Sequence, residues 1–390
     1  MMNYDSILSD RAKALKPSGI RKFFDILETM DSAISLGVGE PDFVTPWHIR
    51  DAGVYSLEKG FTKYTGNAGL SRLRGAIAAY LQRRFQLTYA PDQIIVTVGG
   101  SEGIDIALRA LVNPGDEVIV PVPSFVCYGP ITSLINGKPV FVETKVEDDF
   151  RLTAEELRAA ITPKTKALIL PFPNNPTGGI MERRHLEEIA DVLKDTDIMV
   201  ISDEIYAELT YGQRHVSIAA IPGMQERTIL VNGFSKSYAM TGWRMGYVCA
   251  PREVAKQMLK IHQYAIMCAP TTSQYAAIEA ATAGDVDIET MRMEYDHRRK
   301  YILGRLRDMG LQCFEPKGAF YVFPCIRSTG MSSEEFCEKF LIEKHVAVIP
   351  GTAFGDCGEG FVRMSYCNSI ANIMEAMDRL EQFLTELKNR

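Results

Sequence analysis

Apolar and polar positions in this chain follow two different periods. From about Leu70 to Phe85 the residues Leu73, Ile77, Tyr80 and Leu81 recur at helical spacing, which predicts a helix packed by one stripe. From about Gln93 onward, short β-rich runs alternate with helical stretches. The strand candidates are 94–98, 117–120, 139–142, 167–170, 198–201 and 228–231. Helices are predicted through 104–108, from a capping box of Thr153 with Glu156, and over 182–193. Near-continuous apolar strands separated by helices predict an α/β fold, with a mainly parallel sheet covered by helices on both faces. After about residue 285 long charged helices appear, over 288–309 and 372–387, with strand candidates at 319–323 and 346–349 between them. Residues 1–47 are loosely patterned. The expected organisation is a large domain over 48–285 and a smaller α+β domain built from 1–47 and 286–390.

Composition narrows the class. The 390 residues are 46% hydrophobic and 24% charged, which excludes collagen, a coiled coil and a wholly disordered chain. The net charge of −6 gives no bulk electrostatic reason to bind nucleic acid or an anionic membrane. The basic cluster Arg298-Arg299-Lys300 lies in a helical, charge-mixed stretch and reads as a solvated face. The eight cysteines form no CxxC pair and match no zinc spacing, so no metal site is expected. They read as reduced, mostly buried thiols. The polar amino terminus lacks a signal-peptide core, and no apolar run approaches a membrane span. A soluble, cytoplasmic protein is expected.

In open parallel sheets, ligands bind outside the carboxyl ends of the strands, so the informative residues follow each strand. After Val98 comes Gly99-Gly100-Ser101-Glu102-Gly103 leading into a helix, where free N–H groups can hold an anion. Alone, such a loop is also plain strand-to-helix punctuation, and no GxGxxG accompanies it. After Leu170 comes Pro171-Phe172-Pro173-Asn174-Asn175-Pro176-Thr177-Gly178, a rigid loop presenting an amide. After Ile201 comes Ser202-Asp203-Glu204-Ile205-Tyr206; an Asp there either caps a helix or, poorly solvated, wants a cationic partner. After Val231 a lysine, Lys236, is followed eight residues later by Arg244. A lone lysine is ordinarily a surface charge. Together these residues fit pyridoxal 5′-phosphate, which needs a Schiff-base lysine, an acid facing the pyridine nitrogen, a donor for the ring oxygen, and an arginine with a helix amino end for the phosphate. Burial and a neighbouring cation bring a lysine toward neutral pKa, as proton transfer requires.

At these residues the chain resembles the fold-type I, class I aminotransferases of the aspartate/aromatic aminotransferase family. The motifs are Gly39-Glu40-Pro41-Asp42-Phe43, Asn174-Asn175-Pro176-Thr177-Gly178, Ser202-Asp203-Glu204-Ile205-Tyr206, Ser235-Lys236, Thr241-Gly242-Trp243-Arg244 and Gly360-Phe361-Val362-Arg363-Met364-Ser365. They stand in the family's order across essentially the whole chain. The likeness is nearest to prokaryotic aromatic-amino-acid and N-acetyl-diaminopimelate aminotransferases; with the latter the chain shares Ser18-Gly19-Ile20-Arg21-Lys22-Phe23.

The resemblance implies an enzyme moving an amino group from an L-amino acid, aromatic, aspartate or related, to a 2-oxo acid such as 2-oxoglutarate. It implies that Lys236 carries the Schiff base and shuttles a proton, that Asp203 pairs with the ring nitrogen, and that Tyr206 and Asn175 donate to the ring oxygen. Arg244, Ser235 and the backbone at Gly100, Ser101 and Glu102 would hold the phosphate, and Phe125 would stack on the ring. Arg363 would clamp the substrate carboxylate, a bidentate task suited to guanidinium, and the loop at Val38-Gly39 would line the substrate side. Tyr64 matches a tyrosine that reaches the neighbouring subunit's phosphate, implying a homodimer with shared sites. Two features depart from the pattern. Gly233 stands where many relatives carry serine, and no residue matches the second arginine of the dicarboxylate-specific enzymes. Ile20 and the aromatic side chains near the loop are compatible with an apolar substrate pocket and equally with ordinary core packing. A carbon–sulfur β-lyase on the same scaffold is a competing reading, as is a non-catalytic regulator, though the intact lysine, aspartate and arginine argue against the latter.

Overall fold

The structure, a computed structural model, describes residues 2–15, 30 and 33–389. The 18–23 string, Ile20 included, lies outside the described residues. In chain order the strands are β1 (Ile34–Ser35), β2 (Ile94–Thr97), β3 (Glu117–Val122), β4 (Lys138–Glu143), β5 (Thr165–Leu170), β6 (Met199–Asp203), β7 (Thr228–Gly233), β8 (Gly246–Cys249), β9 (Tyr321–Val322), β10 (Val346–Ala347), β11 (Ile349–Pro350) and β12 (Val362–Ser365).

Seven strands form the central sheet, in the order β2-β8-β7-β6-β5-β3-β4. The pairs β3/β4, β3/β5, β5/β6 and β6/β7 are parallel, whereas β8 runs antiparallel to both β2 and β7. Strand β8, which covers most of the apolar run Tyr247–Ala250, is not among the strand candidates of the sequence pattern. It is a strand because the segment 234–245 turns the chain straight back beside β7, with no crossover helix. Every predicted strand of the sheet is found, with its ends moved by no more than two residues. Helix Ser71–Phe85 buries Leu73, Ile77, Tyr80 and Leu81, the stripe its spacing predicts. The capping box is present: Glu156 N donates to Thr153 Oγ1 and Thr153 N to Glu156 Oε2, each at 3.2 Å, opening helix Ala154–Ala160.

The carboxyl-terminal part is built on the long helices Asp285–Asp308 and Ile370–Lys388. The stretch predicted as one strand over 346–349 divides at Val348. Its first half, β10, pairs in parallel with β1; its second half, β11, pairs antiparallel with β12. One continuous core runs through this part, from Tyr295 and Ile302 through Phe320 and Phe336 to Phe383, and takes in Leu36 from the amino-terminal side. That core also reaches Phe150, Tyr206 and Tyr211 of the first part, so the two parts are joined by packed aromatic side chains.

The reading of Arg298-Arg299-Lys300 as a solvated face is corrected here. Arg298 is 5% exposed and Arg299 7%. Arg298 Nη1 donates to Asp42 Oδ1 at 2.8 Å and to the Asn368 carbonyl at 2.6 Å, with its guanidinium 5.1 Å above the Phe43 ring. Arg299 donates to Asp296, Glu315 and the Pro316 carbonyl. Long stems carry both charges into bonds with distant segments, which charge patterning along one helix cannot reveal. Only Lys300 faces solvent, paired with Asp296. All eight cysteines are free; three are buried and five half-buried. Among the described residues no helix is long and apolar enough to cross a membrane.

Candidate active site

The carboxyl ends of β2, β3, β5, β6 and β7 open on one cavity of about 350 Å³. Eleven of the thirteen residues singled out from sequence line it: Gly39, Gly100, Ser101, Phe125, Asn175, Asp203, Tyr206, Ser235, Lys236, Arg244 and Arg363. Glu102 and Tyr64 do not.

Lys236 sits in the segment that turns β7 back into β8. Bonds from Phe234 N to the Met245 carbonyl and from Met240 N to the Ser235 carbonyl close that turn. Ala239 and Arg244 are both left-handed at φ +51°, a cost borne by non-glycine residues where surrounding structure fixes the chain. The Lys236 ammonium donates to the Gly39 carbonyl at 2.7 Å and lies 5.7 Å from the Phe320 ring and 6.0 Å from the Tyr206 ring. Burial brings its pKa down to about 8, and the charges of Arg363 and Arg244 act in the same direction.

Asp203 ends β6, buried. Burial raises its carboxyl to about 6, although Tyr128 Oη donates to Oδ2 at 2.8 Å and Ile205 N to Oδ1 at 3.3 Å. The cation that a buried aspartate wants is absent among its described neighbours, so the cavity offers an unmatched negative charge. Tyr128 was not singled out from sequence. Its signal was faint: it stands three residues beyond Phe125, at the start of helix Tyr128–Leu134.

Two guanidinium groups face the cavity without a carboxylate partner among the described residues. Arg244 donates only to the Thr241 carbonyl, and a Cβ on Gly99 (φ +74°) would lie 2.6 Å from its Nη2. Gly99 therefore lets the guanidinium lie directly against the start of helix Gly99–Leu111. Arg363 is 3% exposed; Nη1 donates to Asn175 Oδ1 at 2.8 Å and Nη2 to the Gly37 carbonyl, while Nε is buried without a partner. Its guanidinium is held between the Tyr321 ring at 4.6 Å and the Phe354 ring at 4.8 Å.

Tyr321 is the second residue that sequence reasoning passed over. Its hydroxyl lies 2.8 Å from that of Tyr206, and a Cβ on Gly39 would be 2.0 Å from it. It belongs to a strand core pattern with nothing to mark it as polar-functional. The Gly233 departure has a steric reason: a side chain there would meet the Met245 carbonyl at 2.9 Å and Gly246 Cα at 3.0 Å. Glu102 turns away from the cavity, accepting from Val98 N and His262 Nδ1. Tyr64 is 82% exposed, on the turn that packs beside Met267.

The cavity thus joins a lysine of lowered pKa, a buried carboxylate without a cation and two guanidinium groups without a carboxylate partner among the described residues. Residues 31–380 match the family model of aminotransferase class I and II. The Bacillus subtilis protein YugH is 53% identical, covering 97% of this chain and 98% of its own. The aspartate aminotransferase of Pyrococcus abyssi is 48% identical over 98% of this chain and 99% of its own. The crystal structure of an aromatic aminotransferase from Pyrococcus horikoshii superposes with a TM-score of 0.90 at 47% identity, covering 94% of this chain and 99% of that one. By sequence and by fold, the chain belongs to the class I and II aminotransferases.

Proposed function

We propose that the cavity binds pyridoxal 5′-phosphate and that the protein transfers an amino group from an L-amino acid to a 2-oxo acid, 2-oxoglutarate being the first acceptor to test. The observation that carries this reading is the charge inventory of one cavity: a lysine near neutral pKa, a buried acid lacking a cation, and two guanidinium groups lacking anions. A doubly charged phosphate, a pyridinium and an α-carboxylate would satisfy all of them. Bound there, the cofactor supplies an electron sink for the pair left when an amino acid's Cα–H bond breaks.

The chain's own residues do the rest. Asp203 holds the proton on the ring nitrogen, and Tyr128 holds Asp203 in place. Tyr206 and the free amide nitrogen of Asn175 are donors for the ring oxygen, and Phe125 covers the ring. Arg244, Ser235 and the N–H groups at Gly100, Ser101 and Glu102 hold the phosphate. Arg363, pre-set by Asn175, the Gly37 carbonyl and two aromatic rings, grips the carboxylate. Lys236 then moves the proton from Cα, its amine free at a pH where an ordinary lysine is charged.

The domain reading of 48–285 against 1–47 with 286–390 is supported by the small sheets β1-β10 and β11-β12-β9, whose strands all come from 1–47 and 286–390 and stand apart from the seven-stranded sheet. A homodimer is supported by exposed apolar side chains on adjoining segments: Trp47, Tyr55, Phe61, Tyr64, Tyr264, Ile266 and Met267. Relatives named for aspartate and for aromatic substrates stand at nearly equal identity, so the donor is to be found by assay. The purified protein is incubated with single amino acids and 2-oxoglutarate, and glutamate is measured. Acceptor-dependent glutamate formation is expected. Pyruvate and ammonia released from a cysteine-like substrate without acceptor would instead identify a β-lyase.

A further inference from the structure

Behind the start of helix Gly99–Leu111 lies a buried pair that the reaction as described does not use. Glu102 is the acidic residue of that helix's first turn. Its side chain is 9% exposed and both oxygens are engaged: Val98 N donates to Oε2 at 2.5 Å, and His262 Nδ1 to Oε1 at 2.6 Å. His262 comes from helix Arg252–Ala265, where Ala255 and Met258 share its buried face. The imidazole is wholly buried and its Nε2 has no partner. An apolar side chain would pack there without that cost. Arg244 lies against Gly99 at the same helix end, yet makes no ion pair with Glu102.

A carboxylate in a first turn is drawn to the positive helix end, as a bound phosphate is. Released toward the cavity, the Glu102 carboxylate would repel a phosphate bound at the same turn. We propose that His262 is a positioning residue which, by engaging the Glu102 carboxylate from behind, keeps the first turn receptive to the cofactor's phosphate; this rests on the cofactor reading above. Glu102 ties the loop through Val98, and the His262 bond holds that carboxylate turned away from the cavity.

The effect should be specific to the phosphate, which a packing role would not be. Full-length apoprotein is titrated by absorbance with pyridoxal 5′-phosphate and, separately, with pyridoxal, which lacks the phosphate. His262→Leu, which frees the Glu102 carboxylate to turn toward the cavity, is expected to weaken pyridoxal phosphate binding by about tenfold and to leave pyridoxal binding unchanged. Adding Glu102→Gln to that variant removes the negative charge that would otherwise turn toward the phosphate and should restore phosphate-dependent affinity. If His262→Leu does not fold, His262→Asn, which keeps a donor near the Nδ1 position, carries the same comparison with a smaller loss. Equal weakening of both ligands, or no restoration in the double variant, would overturn the proposal. Equal wild-type affinity for both ligands would overturn the cofactor reading itself.

Discussion

Gly39 has no room for a side chain, because a Cβ would sit 2.0 Å from the Tyr321 hydroxyl. Its carbonyl also accepts from Lys236, so displacing it moves the lysine. Gly39→Ala should therefore lower kcat/KM by about tenfold or more, since an ångström of misplacement is costly in a preorganised site. Removing the obstructing oxygen in Gly39→Ala/Tyr321→Phe should recover part of that loss, and steady-state kinetics on the two variants decide the matter. Asp203 carries a second expectation. Asp203→Asn keeps size and a hydrogen bond but removes the charge that holds the ring proton, and losing several kcal/mol of carbanion stabilisation means a fall of at least about a hundredfold in the half-reaction. A folded, cofactor-loaded variant with near wild-type rates would make Asp203 a cap and nothing more. Lys236 and Asp203 were legible in sequence because each follows an apolar strand, where chemistry collects. Tyr128 and Tyr321 were not. One lies on a short helix and one inside a core strand, and their roles exist only through contacts with Asp203, Tyr206 and Arg363.

At the scale of elements, helix Trp47–Glu58 is tied to two others through one imidazole. His48 Nδ1 meets Glu279 at 2.8 Å and Nε2 meets Asp287 at 2.9 Å, joining helices Thr271–Ala283 and Asp285–Asp308. Burial alone would lower the His48 pKa, and the bonds to Asp287 and Glu279 more than reverse it. A group whose folded pKa is raised contributes stability that is fully present below its ordinary value near about 6.5 and is lost as pH rises through the raised value. Melting temperature should accordingly carry a downward component across that window, and His48→Gln should flatten it. Because the side chain is about a third exposed, the component should shrink with salt; an unchanged pH slope in His48→Gln would remove His48 from the account. Element positions were largely readable from periodicity, as helix Ser71–Phe85 shows. What periodicity could not supply was direction: the apolar run at Tyr247 gives no sign that β8 runs antiparallel, which follows from the 234–245 turn. Nor could it show that Arg298 leaves its helix to hold Asp42 of the Gly39 loop.

The whole molecule raises the question of what Tyr64 does at 82% exposure, away from the cavity of its own chain. The segment after Tyr264, itself exposed at 88%, is tied to the Tyr64 turn: Asn67 Nδ2 donates to the Met267 carbonyl at 2.9 Å, and Thr271 Oγ1 to the Lys63 carbonyl at 2.8 Å. Large aromatic side chains clustered in water mark a surface that another protein covers. If a second copy covers it, Tyr64 of one subunit serves the phosphate site of the other while Lys236 serves its own. Two variants then become complementary. Tyr64→Ala and Lys236→Ala should each be nearly inactive alone. In a hybrid dimer, one site combines the intact lysine of the first with the intact tyrosine of the second, and the other site lacks both. Random reassortment makes about half the dimers hybrid with one good site of two, so mixing should restore about a quarter of wild-type activity, on the rule that a symmetric dimer has equivalent interfaces. Subunit exchange is verified independently, by mixing two tagged forms and recovering both on one resin. With exchange shown and both parents severely impaired, a mixture that stays inactive would place Tyr64 outside the neighbour's site and leave the exposed aromatic surface to another role.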